Sequence, residues 1–208
     1  MGMHDTRDSK APEANMEDEY RALVDAGDLQ GATTAFMQRF GGDILAFLAM
    51  RLRDQTAVSE VYSEFTLDFW RGLEGFEWRT TLRGWGYTLA RNAANRFQQR
   101  RRRAARLIHT DRTPDLAEER RPSTAPYLRT AMKKRMRELR ERLPMEDQSL
   151  LVLRIDKGLS WNELAVVFSA EGAAMEEAEA LRSAARLRQR FATIKRRLRA
   201  MAEEEGLL

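Results

Sequence analysis

The chain has 208 residues, of which 43% are apolar and 33% are charged, and its formal net charge is +4. That length and apolar content are sufficient for the core of one ordinary domain or of two small ones. Cysteine is absent and only two histidines occur, so we expect neither disulfides nor a metal site, and no cofactor. The sequence also lacks a signal-peptide pattern and an apolar stretch of membrane-spanning length, so we expect a cytoplasmic protein.

The N-terminal part of the chain predicts a tail followed by two helices. Residues 1–16 are polar and have no periodicity, and we expect them to form a disordered tail outside the fold. Residues 17–26 predict a short helix that Gly27 ends, because glycine readily adopts the left-handed conformation found after helices. The apolar pattern between residues 32 and 48 predicts the next helix.

Residues 55–73 predict a strongly amphipathic helix. Its apolar residues form one stripe, while the opposite face is mostly acidic. The charged residues of this outer face are Glu60, Glu64, Asp68 and Arg71. The pattern therefore predicts one buried side and one charged side that faces solvent.

The segment from Gly75 to Arg79, GFEWR, contains two aromatic side chains, Phe76 and Trp78, but has no strong helical pattern. An exposed aromatic ring in such a loop can stack on an unpaired base, whereas a ring that packs inward belongs to the core. Both alternatives stay open for Phe76, and Trp78 is the better candidate for stacking.

An arginine-rich helix is predicted from about residue 82 to residue 106. Thr80 or Thr81 can cap its first turn, and apolar residues at spacings of three and four place one side against a core. A neighbouring polar stripe consists of Thr88, Asn92, Asn95 and Gln99, with Arg96 at its edge. Amide and guanidinium groups can hydrogen-bond base edges and phosphates, so this stripe predicts a nucleic-acid-binding surface.

Two clusters of basic residues dominate the charge distribution. Six arginines and no acidic residue lie between Arg96 and Arg106, and eight basic residues and no acidic residue lie between Arg182 and Arg199. Such clusters are typical of proteins that bind a polyanion. A solvated helical face is the alternative for either cluster taken alone.

Residues 107–126 interrupt the periodicity with three prolines and mixed charge, which predicts a flexible linker. The linker divides the chain into residues 17–106 and residues 127–208. We therefore predict an all-α protein made of two small helical domains. A single bundle with a long loop is the alternative, but structureless loops of that length are uncommon inside one domain.

The second predicted domain ends in a helix-turn-helix-like pair. Gly158 is expected to end one helix, and Ser160 with Glu163 forms a capping box that opens the next. The turn that follows is lengthened by residues 169–179, SAEGAAMEEAE, whereas a standard helix-turn-helix has a turn of three or four residues. A long helix with an apolar seam is predicted from Ala180 to Met201.

The polar side of this last helix is a second candidate DNA surface. Its residues are Arg182, Ser183, Arg186, Arg188, Gln189, Arg190, Lys195 and Arg196. The first six lie where a recognition helix enters a major groove, while Lys195 and Arg196 are expected to meet phosphates or solvent. A coiled-coil or oligomer helix is the alternative, but the arginine-rich remainder lacks the complementary acids expected beside such a seam.

Two stretches of the chain resemble the extracytoplasmic-function (ECF) group of bacterial sigma factors. The first contains Trp85, Tyr87, Ala90, Arg91 and Asn92 in order, followed by arginines. It resembles the WLYxxARN motif of conserved region 2, with Gly86 where leucine is usual. The second, LPMEDQSLLVLRIDKGLSWNELAVVF, resembles the LPxxxRxVxxLRxxxGxSxxEIAxxL pattern of region 4. The resemblance covers roughly residues 32–106 and 128–208.

The resemblance implies a role for each surface. A factor of this type binds core RNA polymerase, directs it to promoter DNA and helps open the −10 region. The residues implied at the −10 element are Phe76, Trp78, Arg79, Thr88, Asn92, Asn95, Arg96, Gln99, Arg100 and Arg103. The eight polar residues of the last helix are implied at the −35 element. The acidic face with Glu60, Glu64, Asp68 and Arg71 is implied to dock on the beta-prime coiled coil of the polymerase, and an anti-sigma factor is a further candidate partner.

Two other functions are compatible with the sequence. One is a helix-turn-helix repressor or activator that binds duplex DNA without polymerase, although this hypothesis leaves the arginine-rich helix after Trp85 unexplained. The other is a helical adaptor or anti-sigma-like protein whose arginines contact acidic partners, and the lengthened turn keeps this alternative open. The sequence has no Gly-rich phosphate loop, metal cluster or nucleophile beside a histidine, so we expect neither an enzyme nor a small-molecule substrate.

Overall fold

The computed structural model of the protein describes residues 10–108, 129–169 and 176–207. Its helices are α1 (Lys10–Asp25), α2 (Leu29–Leu52), α3 (Gln55–Leu73), α4 (Leu82–Ile108), α5 (Arg129–Glu141), α6 (Met145–Leu151), α7 (Trp161–Val167) and α8 (Glu177–Glu204). A π-helical segment, Val152–Asp156, continues α6. These described ranges contain no β-strand, so the predicted all-α class is confirmed. None of the helices within them is both long and apolar enough to cross a membrane.

Helix boundaries in the first part of the chain follow local sequence signals. α1 ends just before Gly27, whose φ of 77° is left-handed, as the sequence predicted. The Asp28 carboxylate accepts a hydrogen bond from the Gly31 N–H and caps α2, and the Asp54 carboxylate caps α3 in the same way. α3 spans the same residues that the amphipathic pattern predicted.

α1 begins earlier than the sequence predicted. Residues 1–16 were expected to form a disordered tail, but Lys10–Asp25 is one helix, so residues 10–16 belong to α1. Pro12 is compatible with a helix that starts here, because the N–H groups of a first turn have no partner within the helix. Residues 1–9 lie outside the described part of the chain.

The core of the first part is built mainly from aromatic side chains. Phe36 stacks on Phe69 with ring centroids 4.2 Å apart, and Phe47 meets Tyr87 edge-on at 5.6 Å. All four side chains are buried. An ideal Cβ atom on Gly86 would lie only 2.5 Å from Phe36 Cζ. The Phe36 ring therefore occupies the space that a leucine at position 86 would need.

In the second part of the chain, α7 begins after the predicted capping box, whereas α8 begins at Glu177, three residues before the predicted start at Ala180. Gly158, with a φ of 68°, follows the π-helical segment, and Ser160 and Glu163 form a capping box at the start of α7. α7 ends at Val167 and α8 begins at Glu177, so the turn is longer than in a standard helix-turn-helix. Residues 170–175 of that turn lie outside the described ranges.

The predicted apolar seam of α8 is buried within the chain. Its buried residues include Ala184, Leu187, Ile194, Leu198 and Met201. α8 packs against α5, α6 and α7. The seam is therefore occupied by the chain's own helices rather than by a coiled-coil partner.

The two parts of the chain contact each other. We call the described residues up to 108 the first half and those from 129 to 207 the second half. α4 packs against α7, and α2 packs against α6. The buried residues of both halves form one continuous cluster, so a division into two independent domains stays a prediction. The predicted linker, residues 107–126, lies outside the described ranges except for residues 107 and 108, which continue α4.

Candidate nucleic-acid interface

Phe76 and Trp78 lie in the loop between α3 and α4 and form an aromatic cluster with Trp85. The Phe76 ring centroid is 5.0 Å from that of Trp78 and 4.8 Å from that of Trp85. Both loop rings are half-buried and pack against the core cluster. Arg79, next in the loop, is exposed and pairs with the Glu77 carboxylate at 3.0 Å. The loop thus presents its charges to solvent and keeps its rings partly covered.

Trp78 has an unusual backbone conformation. Its φ is 56°, in the left-handed region that residues other than glycine rarely adopt. The guanidinium group of Arg21, on α1, lies over its ring at 4.9 Å from the centroid. Backbone strain of this kind is concentrated at functional sites, so the loop geometry itself marks Trp78 as a functional candidate.

The start of α4 is capped from two directions. The Gly84 N–H donates to the Thr81 hydroxyl at 3.0 Å, which makes Thr81 the capping residue. The Leu82 N–H donates to the Glu17 carboxylate of α1 at 2.9 Å. Burial raises the pKa of Glu17, although the hydrogen bond from Leu82 opposes the shift. Glu17 therefore ties α1 to the helix end that follows the Trp78 loop.

The polar stripe of α4 is less exposed than the sequence predicted. Thr88 is buried, and its hydroxyl donates to the Gly84 carbonyl oxygen at 3.0 Å. The Asn95 side-chain oxygen accepts a hydrogen bond from Arg51 Nη2 at 2.7 Å. Asn92 is half-buried, and Gln99 is exposed. Thr88 is therefore buried and Asn95 is held by a side chain of α2, and the assignment of both residues as DNA contacts stays a prediction.

The arginine-rich end of α4 is exposed, but its first two arginines have acidic partners. Arg96, Arg100 and Arg103 are all exposed. Arg96 Nη2 pairs with the Asp68 carboxylate, and Arg100 Nη2 lies 2.6 Å from Glu64 Oε1. Exposed pairs of this type are worth at most about 1 kcal/mol, so a phosphate can exchange with the carboxylates.

The acids predicted to bind polymerase are the partners of these arginines. Glu64 and Asp68 pair with α4 as described, and Glu60 Oε1 is 3.8 Å from Arg100 Nη2. Leu67, which is 51% exposed, and Arg71 line the same shallow depression. The predicted polymerase face and the predicted −10 face are therefore adjacent and partly neutralise each other.

Arg51 lies at the centre of a buried ionic cluster between the two halves. Its side chain is 1% exposed, and its guanidinium group donates to Glu146 Oε1 at 2.9 Å and to the Ser149 hydroxyl. Arg91 Nη2 donates to Glu146 Oε2 at 2.7 Å, so one carboxylate bridges two arginines. Burial acts to raise the pKa of Glu146, but hydrogen bonds and positive charges from Arg91 and Arg51 hold that pKa below its ordinary value.

A second polar cluster surrounds Glu163 at the start of α7. The Thr81 hydroxyl donates to Glu163 Oε1 at 2.6 Å, and Arg83 Nη2 lies 3.4 Å from the same oxygen. Glu163 Oε2 accepts a hydrogen bond from the Ser160 N–H at 2.7 Å. Burial acts to raise the pKa of Glu163, but the Thr81 hydroxyl and the Arg83 charge bring it below the ordinary value. The same carboxylate thus caps α7 and joins it to α4.

The predicted −35 surface lies on the outer side of α8. Exposed residues of this surface are Arg182, Arg186, Arg188, Gln189, Arg190, Lys195 and Arg196, while Ser183 is half-buried. Arg190 Nη2 is 2.7 Å from the Asp147 carboxylate of α6, and the Arg188 guanidinium carbon lies 5.6 Å from the Trp161 ring centroid. These contacts orient two of the side chains without burying them.

Comparisons with known proteins add no assignment to this surface. No family model matches the chain, and none of the curated proteins matches it either. Among the described residues, no group of acidic and histidine side chains is arranged to hold a metal ion.

The clusters between the halves were not predicted from the sequence. Arg51 follows Ile44, Phe47 and Leu48 at helical spacing, so it stands on the buried stripe of α2. A charged residue on an apolar stripe needs a buried partner, and this was the signal that the sequence contained. Glu146 could not be named as that partner, because the two positions are 95 residues apart in the chain.

Proposed function

We propose that the protein is an ECF-type sigma factor, which binds core RNA polymerase, recognises the −10 and −35 promoter elements and helps open the DNA. One observation carries the proposal: the strained Trp78 loop leads directly into α4, which contains the resembling motif from Trp85 to Asn92 and an exposed arginine-rich end. Aromatic rings and positively charged side chains are together the groups that hold single-stranded nucleic acid, and here they lie at the two ends of one helix. We infer from it a non-enzymatic, cytoplasmic protein.

The proposal also assigns a role to the other two surfaces. The exposed arginines on the outer side of α8 suit the major groove of the −35 element and its phosphates. The acids of α3, with the exposed Leu67 side chain between them, suit a protein partner such as the beta-prime coiled coil. In this proposal, the two halves correspond to two functional domains that contact promoter DNA separately.

Run-off transcription with purified core polymerase on a promoter library tests the proposal. We expect specific transcripts that depend on both core enzyme and this protein. The second candidate, a helix-turn-helix regulator, is favoured by the exposed arginines of α8 alone. It predicts tight, sequence-specific binding to duplex DNA at physiological salt and no core-dependent transcripts.

The role of Trp78 can be tested by a change in the ring. Stacking on an aromatic side chain is worth about 1 to 3 kcal/mol per base, so Trp78→Ala is expected to lower open-complex formation on duplex promoters about tenfold or more. A template with a mismatched −10 bubble is expected to be affected much less, because part of the unpairing cost has been removed. Permanganate footprinting of thymines measures both, and Trp78→Phe, which keeps a ring, is the matched control. Equal losses on the two templates would show that Trp78 has no part in strand opening.

A further inference from the structure

The side of α4 that carries predicted −10 contacts is covered in this structure. Helical spacing of three and four places Thr81, Gly84, Thr88, Arg91 and Asn95 on one stripe, which we call the α4 seam. Thr81 and Arg91 donate hydrogen bonds to the second half, and Asn95 accepts one from Arg51, which itself contacts the second half. Two predicted DNA contacts, Thr88 and Asn95, therefore lie on the α4 seam.

The hydrogen bonds and ion pairs across the α4 seam are strongly ionic. Glu146 bridges Arg51 and Arg91, whose side chains are 1% and 14% exposed. Arg91 also donates to the Val167 carbonyl oxygen at 3.3 Å, and at the edge of the contact Lys157 pairs with Asp43 at 2.6 Å. These ionic contacts lie beside the continuous apolar cluster of the two halves, and interfaces between parts of one chain permit relative motion where they are not large and wholly hydrophobic.

The carboxylates at the α4 seam resemble nucleic-acid phosphates in charge and in hydrogen bonding. A carboxylate on a guanidinium group offers a negative charge and two acceptor oxygens, as a phosphodiester does. Glu146 presents its two oxygens to two different arginines. A nucleic-acid phosphate that reached Arg91 would therefore replace an interaction of the same type.

We infer that the second half is a releasable cover of the α4 seam. In the closed form, Glu146 and Glu163 bind the hydrogen-bond donors of α4 that contact the phosphates of single-stranded DNA after release. The inference rests on the proposed function, because it concerns regulation of the same −10 surface. The closed form described above binds single strands poorly, and release of the second half frees Arg91 from Glu146 and Thr81 from Glu163.

A reversible lock can be built because the chain contains no cysteine. An ideal Cβ atom on residue 84 lies 3.2 Å from Glu163 Cγ. In a Gly84→Cys/Glu163→Cys variant, the sulfur of residue 163 takes the place of Cγ, and a disulfide requires about 3 Å between that sulfur and the opposite Cβ atom. Oxidation then holds the halves together, and reduction removes this crosslink in the same molecules.

Fluorescence anisotropy with a labelled single-stranded oligonucleotide measures the effect of the lock. We expect the oxidised double variant to bind at least tenfold more weakly than the reduced one. The reduced sample is its own control for correct folding, since the two samples differ only in the disulfide. Equal affinities of oxidised and reduced protein would overturn the inference.

A second variant tests release without a crosslink. Glu146→Gln removes the bridging charge, whereas Glu141→Gln removes one charge from an exposed side chain of α5 and is the matched control. Spin labels at Thr34→Cys and Ala200→Cys, both at exposed positions, report the distance between the halves. We expect Glu146→Gln to lengthen and broaden that distance distribution and to bind the oligonucleotide about threefold or more tightly. Identical behaviour of the two variants would count against the cover.

Failure of the cover and failure of the sigma function give different results. If no protein sample directs core-dependent transcripts but the redox state still changes oligonucleotide binding, the proposed sigma function fails and the cover stands. If oxidised and reduced protein direct transcription equally well, the cover is wrong and the sigma function stands.

Discussion

α4 and α8 are both long helices with clusters of arginine, yet the fold treats them differently. α4 packs against α2, α3 and α7, and its exposed arginines are confined to its C-terminal end. α8 packs one side on α5, α6 and α7 and directs its basic residues outward along most of its length. The comparison shows that a basic cluster in a sequence indicates a polyanion partner, whereas tertiary contacts decide which of its residues that partner can reach.

The largest expected difference between the two helices is in the loss of stability caused by a larger side chain. Gly86→Leu is expected to lower the free energy of unfolding by about 3 kcal/mol, because the buried Phe36 ring stands 2.5 Å from the ideal Cβ position. Ala185→Leu, at an exposed position of α8, is expected to change it by less than about 0.5 kcal/mol. Urea unfolding measures both. Equal stabilities would show that α4 is not packed on Phe36 as described.

Replacement of the buried Arg51, which bonds to Asn95 of α4, is expected to cause the next largest loss of stability. Arg51→Met leaves the Asn95 and Ser149 side chains without their donor and leaves Glu146 with Arg91 alone. We expect a loss of about 2 kcal/mol, less than for a fully isolated buried charge because Arg91 still neutralises the carboxylate. Arg197→Met on the exposed side of α8 is expected to be nearly neutral, and urea unfolding again provides the comparison.

Acid pH is expected to weaken the contact of α4 with the second half. The pKa values of Glu146 and Glu163 are held below the ordinary value of 4.5 in the folded protein. Their stabilising contribution is therefore complete above about pH 4.5 and is lost as the pH falls through the lower folded values. The pKa of Glu17 is raised in the folded protein, so protonation of this carboxylate at acid pH stabilises the first half instead of weakening it.

The label pair at positions 34 and 200 measures this acid response. We expect the distance between the halves to increase below about pH 4.5 in the wild-type background. A Glu146→Gln/Glu163→Gln background is expected to lose most of this pH dependence, because the two carboxylates are absent. An unchanged acid transition in that background would assign it to other groups.

The smallest expected effect is on DNA affinity, after removal of an acid that pairs with an exposed arginine of α4. Glu64→Gln frees Arg100 from its nearest acid, so we expect non-specific DNA binding to tighten by up to about fivefold. The log-log salt slope is expected to steepen by about 0.9 if the freed arginine contacts a phosphate. Glu74→Gln, which removes an exposed charge beyond the end of α3, is the matched control for a titration over a range of salt concentrations.

Local signals in the sequence were sufficient for most helices of the described part. The period of the apolar residues and a cap at its start were enough to place α3, since both depend on neighbours a few residues away. The capping box of α7 and the seam of α8 were predictable for the same reason. α1 was placed too late, because residues 10–16 have no apolar stripe from which a helix could be recognised.

The candidate site was predicted less completely than the fold. The exposed arginines of α8 and of the end of α4 lie where the helical pattern placed them. Thr88 and Asn95 lie on the predicted stripe but are not free in solvent, because a polar stripe is compatible both with solvent and with a polar neighbour. Helical spacing gives the direction of a side chain but not the identity of the surface that it meets.

By itself, the sequence determined the helical class, the positions of the caps and the two basic clusters, because each of these depends on residues within one or two helical turns. The tertiary structure alone decided that Glu146 bridges Arg51 and Arg91 and that Glu163 joins α7 to α4. These contacts join residues at least 55 positions apart in the chain. A carboxylate that is ordinary by its local pattern becomes a partly buried bridge only when two distant helices bring arginines to both of its oxygens.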